Sequence, residues 1–143
     1  MEGTASPHTP AAFAGATAIV CDADAISARF LARALGRTGL HVSTCDTAAA
    51  CEDQVGAQRP QLVVLSILLP DLDGLALTRR LRAQHDAGSG APKIIVASVL
   101  QAEQRALEAG ADAFLLKPVA PADLVRVATG LLAKGTSQTE HSS

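Results

Sequence analysis

The chain has 143 residues, 48% of them apolar and 2% aromatic, with a formal net charge of -2. That is the size of one ordinary domain with a single core, and it is too apolar for a disordered chain. So few aromatic residues, and basic residues so scattered, exclude both a stacking platform and an electrostatic footprint for nucleic acid.

The first fifteen residues are rich in Ala, Pro, Thr and Gly without periodicity and read as a flexible arm (1–15). Thr17 to Asp22 forms a first apolar strand, stopped by Asp22-Ala23-Asp24. Ile26, Phe30, Leu31, Ala34 and Leu35 recur at helical spacing, and Gly39 lies just past the helix end. Leu40 to Cys45 alternates apolar and polar residues, as an edge strand does. Asp46 or Thr47 caps a second, alanine-rich helix that reaches about Gln58.

Leu62 to Leu65 is a continuous apolar run of the kind buried on both faces of a parallel sheet, and Ser66 ends it. Pro70 to Gly74 makes a turn, and Leu75, Leu77, Thr78 and Leu81 carry a third helix with its arginines outward. Asp86 to Ala91 is a loop by composition. Lys93 to Ser98 is a fourth strand, Gln101 to Ala109 a fourth helix ending at Gly110, and Ala113 to Leu116 a fifth strand. Pro121 opens a fifth helix striped by Leu124, Val127, Ala128 and Leu131. Strands alternating with helices predict one α/β domain over residues 16–134, with a parallel sheet, right-handed crossovers and a polar tail at 135–143.

No apolar run reaches the ~20 residues of a membrane span, and the N-terminus lacks a secretion signal, so a cytoplasmic domain with no membrane partner is expected. Cys21, Cys45 and Cys51 are odd in number and show no metal-ligand spacing. They read as reduced thiols, Cys21 being a packing residue in its strand. His8, His41, His85 and His141 are dispersed and read as solvated. Gly88-Ser89-Gly90 precedes a strand, so it is not a phosphate-cradling loop, and Ser66 lacks the glycines of a nucleophile elbow.

Three landmarks recur in a fixed order: the acidic end of strand one, LLPDLDG from Leu68 to Gly74, and EAGADAFLLKP from Glu108 to Pro118. With PVAPADLVRVATGLL from Pro118 to Leu132, they make the chain resemble the receiver domain of bacterial two-component response regulators along nearly all of residues 17–134. The resemblance implies a three-layer flavodoxin-like (βα)5 fold with strand order 2-1-3-4-5. It also implies a kinase histidine that donates phosphate to an aspartate after strand three. Acidic residues after strand one would hold Mg²⁺.

Carried over by position, the phosphoacceptor is Ser66, the hydroxyl switch Ser98, the phosphate-pairing lysine Lys117 before Pro118, and the aromatic switch Phe114. The metal positions retain Asp22 and Asp24, both weak candidates, whereas Ala23 fills the position that is usually the direct ligand. A serine cannot form an acyl phosphate and is a poor neutral ligand for a hard cation. Asp22 and Lys117 are therefore expected as an ion pair, and Ser66 as a strand-end hydroxyl. The connection from Ser98 to Gly110 is shorter than the resemblance leads one to expect, so helix four should be reshaped.

The expected function is an atypical receiver acting as a phosphorylation-independent protein-interaction module, with no enzyme activity and no cofactor beyond weakly held Mg²⁺. Its partner would be a histidine kinase, a regulator or another signalling protein, or a second copy meeting it through helix four, strand five and helix five. The alternative is a receiver that still takes phosphate or Mg²⁺ at a degenerate acidic pocket.

Overall fold

The computed structural model describes residues 13–85 and 90–142, with side chains as far as residue 133. Five strands alternate with five helices: β1 (Thr17–Cys21), α1 (Ala25–Gly36), β2 (His41–Cys45), α2 (Ala48–Gln58), β3 (Leu62–Leu65), α3 (Gly74–Gln84), β4 (Lys93–Ser98), α4 (Glu103–Ala109), β5 (Ala113–Leu116) and α5 (Pro121–Ser142). The strands form one parallel sheet in the order β2-β1-β3-β4-β5, the order expected from sequence. Register runs without a break: Ile19 faces Ser43 on one side and Val63 on the other, Val63 faces Ile94, and Val96 faces Phe114.

Successive strand residues point to opposite faces, and both faces are apolar because helices cover both. Ile19, Cys21, Val63, Leu65, Ile94 and Val96 pack under α2, α3 and α4 with Val55, Leu77 and Leu81. Their neighbours Val20, Leu62, Val64 and Ile95 pack on the other face with Leu31, Leu35, Leu124 and Ala128 of α1 and α5. Each fully buried Val, Leu or Ile contributes about 1.5–3 kcal/mol, which lets a core with almost no aromatic residues hold.

The helix ends follow local chemistry. The Asp24 carboxylate accepts the N–H groups of Ile26 and Ser27 and so caps α1; the Thr47 hydroxyl accepts Ala50 N–H and caps α2. Helix α2 stops at Gln58 because Arg59 takes a left-handed φ of 50° and Pro60 follows.

Several expectations change. Ile26 and Phe30, counted in the core stripe of α1, are exposed; Ala28, Leu31, Ala34 and Leu35 form the buried face instead. Phe13, expected in the N-terminal arm, packs against the α1/α5 core, and its N–H donates to the Thr38 carbonyl. Arg82 does not point outward: it donates to the carbonyls of Gly110 (2.7 Å) and Pro92 (2.8 Å) and pairs with Asp112. The rest of the arm, residues 1–12, and most of the loop expected over 86–91 lie outside the described residues. Helix α5 runs on to Ser142, through the stretch read from composition as a tail.

Candidate functional site

The carboxyl ends of parallel strands line the crevice where ligands bind in open α/β sheets. Here that edge carries Asp22 after β1, Ser66 after β3, Ser98 at the end of β4 and Lys117 after β5. The geometry brings Asp22, Ser98 and Lys117 together. Lys117 Nζ lies 2.6 Å from Asp22 Oδ2, with only 4% of the Asp22 side chain and 15% of the Lys117 side chain exposed. Asp22 Oδ1 accepts Asp24 N–H at 3.0 Å, so both carboxylate oxygens are engaged. The Lys117 backbone N–H donates to the Ser98 carbonyl at 2.8 Å, which fixes the lysine beside β4.

Ser98 is fully buried, and its Oγ accepts Leu100 N–H at 3.2 Å. Ser66 is buried and is tied to the strand by its N–H, which donates to the Cys21 carbonyl at 3.0 Å. Asp24 is exposed, and its Oδ1 takes two N–H groups of α1. Phe114 is half-buried against the α2/α3/α4 core, and Pro118 is exposed.

The turn after Ser66 is built around Gly74. A Cβ on that residue would stand 2.0 Å from the Ser66 carbonyl oxygen and 2.7 Å from Ile67 Cα, a closeness that only glycine allows. Within the same turn Asp73 caps α3. Asp71 reaches across to α2, its two oxygens accepting Ala48 N–H (2.8 Å) and Ala49 N–H (2.9 Å). Those two bonds hold the Asp71 carboxyl below the usual carboxylate range. Sequence reading gave Asp71 and Asp73 only as turn residues. The Asp73 cap was legible in its spacing to the following helix, but the Asp71 cap was not, because it depends on the fold bringing the start of α2 beside the turn after β3.

Nor did spacing reveal the cysteines. Cys21, Cys45 and Cys51 are brought together, their sulfur atoms all within 4.8 Å of one another. The thiols share protons unevenly. The neighbouring Cys21 and Cys51 thiols hold the half-buried Cys45 at about 4. Cys21 is pushed up by Cys45 and Cys51 and by burial. For Cys51, a lowering by Cys21 is outweighed by Cys45 and by burial, which push it up to about 12. None of the described helices is long and apolar enough to cross a membrane.

Comparison with known proteins agrees with this architecture. The model of the response regulator receiver domain matches residues 18–129. The transcriptional regulatory protein PrrA of Mycobacterium leprae is 34% identical over 127 residues, covering 87% of this chain and 53% of that protein. The response regulator MprA of Mycolicibacterium vanbaalenii is 32% identical over 120 residues, covering 82% of this chain and 51% of that protein. The chain thus spans about half the length of these curated relatives. A CheY-like receiver domain protein from Methanospirillum hungatei superposes with a TM-score of 0.77 at 23% identity, covering 86% of this chain and 98% of that one, and shares the fold. On the match of the family model and these relatives, the chain belongs to the response regulator receiver domains.

Proposed function

We propose that this receiver is atypical and works as a phosphorylation-independent protein-interaction module in cytoplasmic two-component or phosphorelay signalling. One observation carries the reading: the pocket is already neutral and closed, with Asp22 paired to Lys117 at 2.6 Å. Ser66, a neutral hydroxyl, stands after β3 where the family resemblance places the phosphoacceptor carboxylate. An acyl phosphate needs that carboxylate, and Lys117 would have to leave a buried partner to meet it.

The donors also fit Mg²⁺ poorly, since that ion demands near-octahedral oxygen ligands with carboxylates among them. Ala23 offers none, Asp24 spends an oxygen on capping α1, and both oxygens of Asp22 are engaged. No cofactor and no enzyme activity belong to this reading. Leu107 on α4 and Leu116 on β5 are 45% and 44% exposed, which favours the α4–β5–α5 face as the surface for a histidine kinase, a regulator or a second copy.

The convergence of Asp22, Ser98 and Lys117 at one sheet edge favours a second reading, a receiver still able to take phosphate or Mg²⁺. Amide NMR spectra of the chain with Mg²⁺ and then beryllofluoride, which mimics a phosphoryl group on a carboxylate, separate the two. The proposed function predicts spectra that stay put at millimolar Mg²⁺. Shifts at Asp22, Ser66, Ser98 and Lys117 that spread to Phe114 would overturn it in favour of the second reading.

A further inference from the structure

Cys21 closes β1, Cys45 closes β2, and Cys51 lies in the first turns of α2, so three separate elements each deliver one sulfur to the same spot. Cys21 and Cys45 are register partners on neighbouring parallel strands. The short connection through Asp46 and Thr47 then folds α2 back over them, and Cys21 Sγ donates to the Thr47 carbonyl at 3.4 Å. All three sulfurs lie within 4.8 Å of one another. Three sulfurs around a metal at bonds of ~2.3 Å stand roughly 4 Å apart, so closing on an ion requires movements of about an ångström or less.

The surroundings select the kind of ion. Cys21 and Cys51 are fully buried in the apolar cluster with Ile19, Val63 and Leu65. Cys45 is half-buried, the least covered of the three, and packs against the same apolar cluster. Sulfur ligands in an apolar setting suit soft and borderline cations, whereas Mg²⁺ and Ca²⁺ require oxygen. We infer that Cys21, Cys45 and Cys51 form a three-thiolate site for a thiophilic d¹⁰ cation, Zn²⁺ or Cu⁺. On loading, the S–H bonds still present break and their protons leave to solvent while three thiolate sulfur–metal bonds form, with no change of oxidation state. For Zn²⁺ a water on the side of half-buried Cys45 completes the tetrahedron. Because Asp22 N–H donates to the Cys45 carbonyl at 2.9 Å, the loaded site also stiffens the strand end that carries Asp22.

The test uses the full reduced chain under anaerobic conditions. Zn²⁺ and Cu⁺ are titrated separately against a competing chelator, and zinc-edge X-ray absorption counts the sulfur ligands at one equivalent. Cys45→Ala, the change at the least buried thiol, is compared after circular dichroism has confirmed its fold. The expected result is one ion per chain, three sulfurs around zinc, and an affinity loss of roughly 100-fold or more in the variant. Fewer than three sulfurs in the wild-type spectrum overturns the site even if no variant folds. So does a folded Cys45→Ala chain that binds as tightly as wild type, and so does failure of both ions to bind the reduced chain.

Discussion

Lys117→Met tests whether the pocket is closed by its own charges. Methionine keeps an unbranched chain of similar length but removes the ammonium, which leaves Asp22 with 4% of its side chain exposed and Oδ2 without its cation. At the observed 2.6 Å the gross attraction is about 6 kcal/mol for an effective dielectric constant of ~20. Desolvation of the two groups offsets much of that in the intact pair. Removing one partner keeps the desolvation and loses the attraction, so single truncations of buried pairs cost about 3–5 kcal/mol. Because 15% of the Lys117 side chain still reaches solvent, the expected loss lies near the lower end, about 3 kcal/mol.

Urea unfolding at neutral pH measures it, with Asp22→Asn and the double variant completing a cycle. The double variant should be more stable than the sum of the single losses by ~1 kcal/mol or more, since it leaves no buried charge alone. Added salt should change the result little, because the pair is shielded from solvent ions. A Lys117→Met chain within ~1 kcal/mol of wild type, or a strictly additive cycle, would refute the closed pocket. Asp22 would then be a carboxylate free to meet a cation, and the reading of a pocket competent for phosphate would gain.

Three further outcomes follow from the geometry. Gly74→Ala should destabilise the chain by about 3 kcal/mol or more, since its new methyl group would strike the backbone of Ser66 and Ile67 rather than a movable side chain; a melting temperature equal to wild type would show that this turn relaxes. Arg82→Ala should cost about 2–3 kcal/mol because the carbonyls of Gly110 and Pro92 and the Asp112 carboxylate lose one shared donor, and Arg82→Lys should recover little of it. The Asp71 carboxyl sits below its ordinary value, so its stabilisation of α2 is present at neutral pH and is lost as pH falls through the folded-state value. Melting curves of wild type and Asp71→Asn should therefore differ at pH 7 and converge in acid below about pH 4; a gap that stays constant would remove the carboxylate from the account.

What the sequence made legible, and what it did not, divides by the range of the interactions. Leu62 to Leu65 declared a strand buried on both faces, and all four residues are buried. The alternation in β2 declared an edge strand, and β2 lies at one edge of the sheet. The pairing of Asp22 with Lys117 was legible because the family resemblance supplied the topology that joins residues 95 positions apart. Where topology was not applied, the reading stayed local. Arg82 was assigned to solvent by helical period, although its acceptors come from Pro92 and Gly110, loops that only the folded sheet brings near. The cysteines were judged by spacing along the chain. Yet Cys21 and Cys45 both end strands that the order 2-1-3-4-5 makes neighbours, so the same topology would have paired them. Helix α4, expected from about Gln101, begins at Glu103, with Ala102 at φ -143° and ψ 37° as its N-cap.

The shortness of α4 bears on how a receiver with a closed pocket presents its surface. In the family's scheme a phosphoryl group draws the hydroxyl after strand four toward itself, and the aromatic residue of strand five follows. Here Ser98 Oγ accepts Leu100 N–H in a fully buried position. Phe114 is packed against the core, facing Val96 in the sheet. Helix α4 is only seven residues long and is anchored through Ala106, which is fully buried. If no phosphoryl group enters, nothing recruits Ser98, and the face that carries Leu107 and Leu116 holds one conformation. An interaction module needs that constancy, because a surface that already has its binding geometry spends none of its contact energy on rearrangement. Control would then pass from phosphorylation to whatever else alters the strand ends, and the cysteine cluster next to Asp22 is built into them.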